Sequence, residues 1–357
     1  MKKTGLYFKD TQQFITWQDI KNNFNLDLFD EEKIKIIQFC QKYIQNENID
    51  FELNTSGSTG LPKKIIISKK KMQISALATI QKLNLENEKN FLICLSTDYI
   101  AGKMMLIRAI EAQAFATIAS PKQHIWQEID TFYFGAIVPV QLKSLLDNED
   151  IWQKFDKIKA LIVGGASIPS EWKKQIERLP MPVYATFGMT ETVSHIALQL
   201  LNTQKKQDYF EVLEHIHIQK NDKNCLEIQS ILTDNQWITT NDVVEIVAKH
   251  QFKWLGRADN IINIGGKKIQ PETIENLIRL HLIDFFENEE FFIGGMNDEK
   301  WGQKLVIYIE TKNNWTTTKM NLFFEKMSKI LPHTEIPSKI IFQEFFERTQ
   351  TGKIKRL

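Results

Sequence analysis

The sequence is poor in cysteine, and the few cysteines it has are not arranged for a cross-link or a metal. There are three in 357 residues, widely spaced and outside any C-x-x-C pair. This excludes a disulfide framework and a zinc knuckle. We expect Cys40, Cys94 and Cys225 to be reduced residues of the core.

Long apolar runs are also missing. The longest, near Phe132 to Val140, is too short to span a bilayer. Lys2 and Lys3 resemble the start of a signal peptide, but no apolar core follows them. The sequence therefore predicts a soluble, cytoplasmic protein without membrane insertion.

Neither charge sign is in excess, since 45 basic residues stand against 44 acidic ones. No global field would draw the protein to nucleic acid or an anionic membrane, so we expect a small-molecule partner. A chain of 357 residues with 43% hydrophobic content is long enough for more than one domain. Whether it forms a homo-oligomer stays open.

Strand-like and helix-like runs alternate between about residues 50 and 190. Such alternation is typical of a mostly parallel sheet covered by helices. The strand-helix pairs are "FLICLS" with "KMMLIRAIEA", "AFATIAS" with "HIWQEID", "FYFGAIVP" with "QLKSLLD", and "KALIVGG" with "SEWKKQIERL".

The character of the chain changes twice more. From Ser194 to about Leu255 the helical period disappears, which indicates antiparallel strands. After Asp259 a helix opening at Pro271 lies between strand-like runs. We predict an α/β protein with two domains. A large N-terminal domain (1–258) has mostly parallel sheets flanked by helices plus a β-rich subdomain, and a small mobile C-terminal α/β domain follows (259–357).

"TSGSTGLPKK" lies between two strand-like runs, so it is the tip of a hairpin, and Ser68 then caps a helix. Its glycines let backbone N–H groups turn toward one point, and hydroxyl and lysine side chains surround that point. Such donors suit an anion. The glycines are three apart, unlike the ordinary nucleotide P-loop, and a plain polar turn is the alternative. The residues concerned are Thr55, Ser56, Gly57, Ser58, Thr59, Gly60, Lys63 and Lys64.

A second cluster, "TFGMTETVSH", follows the strand "PVYA". Thr190 supplies a hydroxyl and Glu191 a carboxylate at a strand end, where ligand crevices of open α/β sheets lie. Beside a phosphate site, a carboxylate suits Mg²⁺. Asp242 in "TTNDVVEI" can accept hydrogen bonds from a ribose diol. Taken alone, Glu191 is typical of a solvated glutamate after a turn, and Asp242 of an ordinary turn aspartate.

In order along the chain, "TSGSTGLPKK", "FGMTET", "TND", "GRADNIINIGGKKIQPETIE" and "TGKIKR" resemble the signatures of the adenylate-forming superfamily, which includes the acyl-CoA synthetases. The resemblance implies ATP and Mg²⁺ as cofactors and CoA as co-substrate. The reaction would activate a carboxylate as acyl-AMP and then form a CoA thioester.

The resemblance also assigns roles to the matching positions. Thr55 to Gly60 with Lys63 would grip the ATP phosphates, and Thr190 and Glu191 would contact phosphate and magnesium. Lys353 would be the catalytic lysine of the first step, and Asp259 the hinge that later replaces it with Gly266 at the pantetheine. The remaining nucleotide-binding positions are Gly164, Gly165, Phe187, Gly188, Asp242 and Arg257.

The sequence departs from the superfamily at its N-terminus, because relatives usually carry a long region ahead of the phosphate loop. We therefore expect part of one subdomain to be reduced. This feature and "GMTETVSHIAL" most resemble the ligases that activate o-succinylbenzoate in menaquinone biosynthesis. That acid has a second carboxylate, which needs a cation or donors. The candidates are Lys103, Arg108, Ser194 and His195, although the first two could lie on a solvated helix face.

Three alternatives stay open. The chain could be a ligase for another aryl or short acid, or it could load an acid onto a separate carrier protein. It could also be an inactive nucleotide-binding relative, which retention of Glu191, Asp242, Arg257 and Lys353 argues against. A metal site at His215 and His217, two apart on a predicted strand, lacks a third ligand.

Overall fold

The structure is a computed structural model that describes residues 4–22, 24–54, 64–86, 90–286, 289–348 and 354–356. The predicted phosphate loop, Thr55 to Lys63, and Lys353 lie outside these ranges. The chain divides into two units. The first comprises Met1–Ile168, Lys174–His217 and Gln229–Trp237, and the second comprises Pro169–Lys173, Ile218–Ile228 and Ile238–Leu357. Asp259 was predicted both as the domain boundary and as the hinge, and both stay predictions.

The first unit is built on a mostly parallel sheet with the order β11-β10-β9-β8-β7-β5-β6-β1-β2. Strands β1, β6, β5, β7, β8 and β9 are parallel, whereas β2, β10 and β11 each pair antiparallel. Strands β3 and β4 form a separate antiparallel hairpin. The strands are β1 Gly5–Phe8, β2 Gln13–Thr16, β3 Asp50–Asn54, β4 Lys64–Ser68, β5 Asn90–Ile93, β6 Phe115–Ile118, β7 Phe134–Ile137, β8 Ala160–Val163, β9 Val183–Gly188, β10 His195–Leu200 and β11 Phe210–Val212.

Helices connect the parallel strands, as crossover connections require. Helix α3 begins as predicted, because the Ser68 hydroxyl accepts a hydrogen bond from the Lys71 amide at 3.4 Å. The apolar residues Met72, Ala76 and Ile80 of this helix are buried. The helices are α1 Trp17–Lys21, α2 Glu31–Gln45, α3 Lys69–Lys82, α4 Ile100–Glu111, α5 Pro139–Leu146 and α6 Lys173–Ile176.

The predicted helix at residues 124–130 is wrong, since this segment is a series of turns. Its apolar residues are buried without a helix, and the Trp126 indole donates to the Gln141 carbonyl at 2.8 Å. The Gln141 side chain in turn donates to the Lys122 carbonyl at 3.0 Å. Gln141 of α5 thus supplies a partner for the Trp126 indole and another for the Lys122 carbonyl just before this segment.

The second unit holds an antiparallel sheet, β12-β13-β14-β15, and a mixed sheet, β17-β16-β19-β18, in which β20 pairs parallel with β19. Helix α7 begins at Pro271, as predicted. The elements are β12 His217–Lys220, β13 Cys225–Gln229, β14 Ile238–Ala248, β15 Gln251–Arg257, β16 Ile262–Ile264, β17 Lys267–Ile269, α7 Pro271–Leu282, β18 Phe291–Asp298, β19 Gly302–Glu310, α8 Thr317–Met327 and β20 Ile340–Gln343.

The predicted α/β class is confirmed, with its mostly parallel sheet, its helices and its antiparallel strands after residue 194. All three cysteines are free and buried, as predicted. His215 has φ +63° and precedes β12, so it does not share a strand face with His217. Among the described residues, no helix is long and apolar enough to cross a membrane.

Candidate active site

The carboxyl ends of two neighbouring parallel strands bring the first group of predicted residues together. Gly164 and Gly165 follow β8, and Gly188 ends β9, with Thr190 and Glu191 just beyond it. The two strands pair at Val163 and Ala185. Residues that follow them therefore lie along one edge of the sheet, where crevices of open α/β sheets bind ligands.

Two glycines let the backbone pack closely at this edge. A Cβ on Gly188 would lie 2.4 Å from the His195 Cα and 2.5 Å from the Ser194 carbonyl oxygen. A Cβ on Gly164 would lie 2.4 Å from the Thr186 hydroxyl oxygen. At Gly188 the obstructing atoms are backbone, so any larger residue would push β9 and β10 apart, whereas at Gly164 the obstruction is the Thr186 side chain.

The turn after β9 is held rigidly. The buried Thr192 hydroxyl accepts from the Met189 amide at 3.2 Å and lies 2.9 Å from the Ser194 carbonyl, to which it can donate. Val193 has φ +68°, an unfavourable conformation for a β-branched residue. The fixed turn leaves Thr190 partly buried and the Glu191 carboxylate exposed to solvent.

This edge suits magnesium bound together with phosphate. No group of three His, Cys, Asp or Glu side chains that could hold a metal is found in the part of the chain that the structure describes. Mg²⁺ does not require such a group, because it commonly uses one or two carboxylates plus phosphate oxygens and waters. The Glu191 carboxylate forms no ion pair with any described residue, so both of its oxygens are available.

A second group of residues lies at the start of β10 and on helix α4. The Arg108 guanidinium donates through Nη2 to the Ser194 hydroxyl at 2.9 Å. Arg108 is only 2% exposed, and burial lowers its pKa to about 9. Within the described residues its Nε has no partner, and no carboxylate is paired with it. A buried cation without a counter-ion is costly, which makes this side chain an unusual one.

His195 lies beside this cation and is neutral. Its Nε2 is 3.1 Å from the Thr79 hydroxyl, which also lies 3.1 Å from the Ser75 carbonyl. With the hydroxyl proton donated to that carbonyl, Thr79 accepts from His195 Nε2–H. Burial and the positive charge of Arg108 hold the pKa of His195 well below its ordinary value.

Lys103, the other predicted cation, points elsewhere. Its ammonium donates to the Asp98 carbonyl at 3.0 Å and lies 5.8 Å from the centre of the Phe39 ring. Burial lowers the pKa of Lys103, opposed by Asp98. The structure therefore groups Arg108, Ser194 and His195, and it leaves Lys103 outside that group.

The second unit brings together its own predicted residues. Asp242 and Arg257 are opposite one another on β14 and β15, and Arg257 donates to Asp259 at 3.0 Å. One oxygen of Asp242, Oδ1, accepts from the Trp254 indole at 2.9 Å. Asn241 also donates to Asp259, at 3.2 Å. The adjacent carboxylates and guanidinium form a polar cluster at the end of β15, beside the middle of β14.

Gly266 lies in the turn between β16 and β17, together with Gly265. Both have positive φ, at +88° and +56°, which fits a two-residue hairpin turn. A Cβ on Gly265 would lie 2.7 Å from the Trp301 ring, whereas nothing lies within 4 Å of a Cβ on Gly266. Gly266 is thus an open, exposed position.

The chain belongs to the AMP-binding enzyme family, whose model matches residues 12–213. A solved structure of an acyl-CoA synthetase (AMP-forming)/AMP-acid ligase II-like protein from Dyadobacter fermentans is 35% identical. That similarity covers 91% of this chain and 92% of the other, with a TM-score of 0.63.

Relatives with a more specific name are more distant. The 2-succinylbenzoate-CoA ligase of Staphylococcus epidermidis is 25% identical over 87% of this chain and 69% of its own length. The Escherichia coli enzyme of that name is 27% identical over 72% of this chain and 57% of its own length. The fold of the o-succinylbenzoate CoA synthetase of Bacillus subtilis, solved with ATP and magnesium ion, matches with a TM-score of 0.71 at 18% identity, over 92% and 77% of the two chains.

The sequence did not reveal Thr79 and Thr192 as parts of the site, because neither belongs to a charged or glycine-rich motif. For Arg108, by contrast, the sequence does contain a signal that predicts burial. It is an arginine within "MMLIRAI", a stretch with apolar residues on all sides of the helix. A stretch that is apolar all round is buried, and the one cation within it is buried too.

The low pKa of His195 predicts a pH dependence of stability. Between the folded pKa and the unfolded value of about 6.5, the unfolded chain binds more protons. The free energy of unfolding should therefore be level above about pH 6.5 and fall below it, by up to about 1.4 kcal/mol per pH unit. Denaturant unfolding of wild type and His195→Asn at a series of pH values measures this, and the variant should lose that part of the slope.

His250→Asn is the matched control, because His250 is exposed in a turn. It should keep the wild-type slope. An unchanged slope in His195→Asn would show that His195 binds its proton equally in both states.

Proposed function

We propose that this protein is an ATP-dependent acid-CoA ligase and that its acid is o-succinylbenzoate. The observation that carries the choice of acid is the buried Arg108 guanidinium, which has no carboxylate partner among the described residues and hydrogen-bonds Ser194 just beyond the Thr190–Glu191 turn. Family membership supports the reaction class, and the names of the Staphylococcus and Escherichia relatives support the acid. Because ATP and CoA are the proposed co-substrates, we also propose a cytoplasmic location.

The proposed chemistry proceeds in two displacements. A carboxylate oxygen of the acid attacks the α-phosphorus of ATP, pyrophosphate leaves, and acyl-AMP results. The CoA thiolate then attacks the acyl carbon, the C–S bond forms, and AMP leaves with the bond electrons. Activation is needed because a free carboxylate is a poor electrophile, whereas AMP is a good leaving group.

The residues at the strand ends would stabilise the first displacement. The Thr190 hydroxyl can donate to a phosphate oxygen, and Glu191 would hold Mg²⁺, which when bound offsets phosphate charge. Since Asp242 Oδ1 already accepts from Trp254, the other carboxylate oxygen is available for a ribose hydroxyl. Arg257, 3.9 Å from Asp242, would restrain that carboxylate.

A dicarboxylic acid explains the unusual state of Arg108. A bound carboxylate would supply the counter-ion that the described residues lack, and the Ser194 hydroxyl already aligns one guanidinium nitrogen. Neutral His195 adds no second charge beside the cation. An acid with one carboxyl group would leave Arg108 uncompensated, so this arrangement favours an acid with two carboxyl groups.

The test is an assay with ATP, Mg²⁺, CoA and o-succinylbenzoate that follows pyrophosphate release and detects the thioester by mass. Benzoate, acetate and a medium-chain fatty acid serve as competitors. Selective thioester formation from o-succinylbenzoate is the expected result. Reaction with another acid alone would retain the ligase and overturn the substrate. No pyrophosphate from any acid would indicate an inactive nucleotide-binding relative.

Lys353→Ala should separate the two steps. We expect adenylation to slow by at least about 10²-fold, the scale of losing one preorganised donor to developing negative charge. Thioester formation from supplied acyl-AMP should change much less, because rotation about Asp259 would by then present Gly266. Equal losses in both half-reactions would contradict the use of one hinge for two conformations.

Arg108→Met should lower affinity for o-succinylbenzoate by about 2–5 kcal/mol, the cost of leaving one partner of a buried charge pair alone. The free protein should gain stability or stay unchanged, because an uncompensated buried charge is removed. Calorimetric binding and denaturant unfolding measure the two effects. Lys103→Met, on the same helix, is the comparison variant, and loss of affinity there instead would place the second carboxylate elsewhere.

A further inference from the structure

A carboxylate that the proposed chemistry does not use is buried at the start of α7. Glu272 is the second residue of that helix, and its side chain is only 8% exposed. Its Oε1 accepts a hydrogen bond from the Asn260 side-chain amide, and its Oε2 accepts one from the Gln270 side-chain amide. The Arg356 guanidinium lies 4.0 Å from Oε1. Each oxygen of this carboxylate thus holds a side chain from the segment that precedes the helix.

The amide group of Gln270 also reaches further back along the chain. Its Nε2 donates to the carbonyl of Arg257, the last residue of β15, at 3.0 Å. A side-chain amide has two N–H hydrogens, so one group can serve this carbonyl and Glu272 together. Arg257 precedes Asp259 and Gln270 follows it. The hydrogen bond therefore joins the chain on the two sides of the proposed hinge.

A glycine in β15 lets the start of α7 approach this closely. Gly256 has φ +151°, a conformation that favours glycine. A Cβ at this position would lie 2.2 Å from Gln270 Nε2 and 2.4 Å from Glu272 Oε2. Any larger residue would displace the ends of both side chains and so disturb the hydrogen bonds that they make.

Helix stability alone does not explain why Glu272 is buried. A solvent-exposed glutamate in the first turn would interact equally well with the helix dipole, without the cost of burying a carboxylate. What burial adds is a fixed position for the Gln270 amide, because a hydrogen bond to a charged acceptor is stronger than one between neutral groups. Glu272 thereby holds Gln270 against the Arg257 carbonyl.

We propose that Gln270 and Glu272 form a latch that holds Arg257 against α7 in one hinge conformation and releases it in the other. This inference rests on the proposed function, in which the chain rotates about Asp259 between the two half-reactions. Rotation at Asp259 moves Gln270 relative to Arg257, so the hydrogen bond between them can exist in only one of the two conformations. The latch residues are positioning residues, and they act through Arg257 and the hinge.

The kinetic test uses Gln270→Ala and Glu272→Ala in the full chain. Each should shift the equilibrium away from the latched conformation by at least about 10-fold, the scale of one lost hydrogen bond to a charged group. Because each half-reaction would proceed from one conformation, the ratio of their single-turnover rates should change by about the same factor. The two rates are adenylation from ATP and thioester formation from supplied acyl-AMP.

Asn276→Ala is the matched control, because Asn276 is an exposed residue of the same helix. It should keep the wild-type ratio of the two rates. A residue that merely supports the fold would slow both half-reactions together. An unchanged ratio in Gln270→Ala and Glu272→Ala, or equal losses in both half-reactions, would overturn the latch.

A distance measurement without turnover separates this proposal from the proposed function. Spin labels are placed through Lys249→Cys, in the turn between β14 and β15, and Asn321→Cys on α8. Both positions are exposed and the native cysteines are buried, so the labels react selectively. The two labels lie on opposite sides of the proposed hinge in the chain.

Wild type should show one main label-to-label distance. Gln270→Ala and Glu272→Ala should raise the share of a second distance, by at least about 10-fold relative to the first, whereas Asn276→Ala should not. Unchanged distances would overturn the latch even in an active ligase. Shifted distances in a protein that activates no acid would retain the latch and reject the function.

Discussion

The parallel pairing of β7, β8 and β9 is the constraint on which the candidate site depends. It brings the ends of these strands to one edge of the sheet, and Gly188 lets the backbones of β9 and β10 come within contact distance there. The chain then reverses through a strained turn into β10. The same reversal that exposes Glu191 therefore also carries Ser194 and His195 to the buried guanidinium on α4.

Arginines in this chain differ in how they are partnered. Arg108 is buried with a hydroxyl as its only described oxygen partner. By contrast, Arg178 in the first unit and Arg348 and Arg356 in the second are each matched to a carboxylate by two hydrogen bonds. These ion pairs are thus complete within the protein, whereas Arg108 would find its carboxylate only in a bound ligand. The overall net charge of +1 could not have predicted which arginines have a carboxylate partner and which do not.

Much of the architecture could be predicted from the sequence, because strand and helix periods alternate clearly and local signals such as Ser68 and Pro271 mark helix starts. The predicted helix at residues 124–130 was wrong, because its apolar residues are buried in a series of turns and the Trp126 indole finds its partner on α5. The ion pair of Arg356 with Glu275 joins residues 81 positions apart, and no local pattern encodes it. Arg108 was found as a candidate, and the apolar residues around it in "MMLIRAI" were the signal for its burial.

The uncompensated charge of Arg108 links the folding of this protein to the supply of its ligand. A ligand that binds only the folded state stabilises it by RT ln(1 + [L]/Kd), which is about 2.7 kcal/mol at a hundredfold excess over Kd. In a cell with little of the acid, the free protein would unfold more often and present itself to proteases more often. Its abundance would then follow the concentration of its substrate without any change in synthesis.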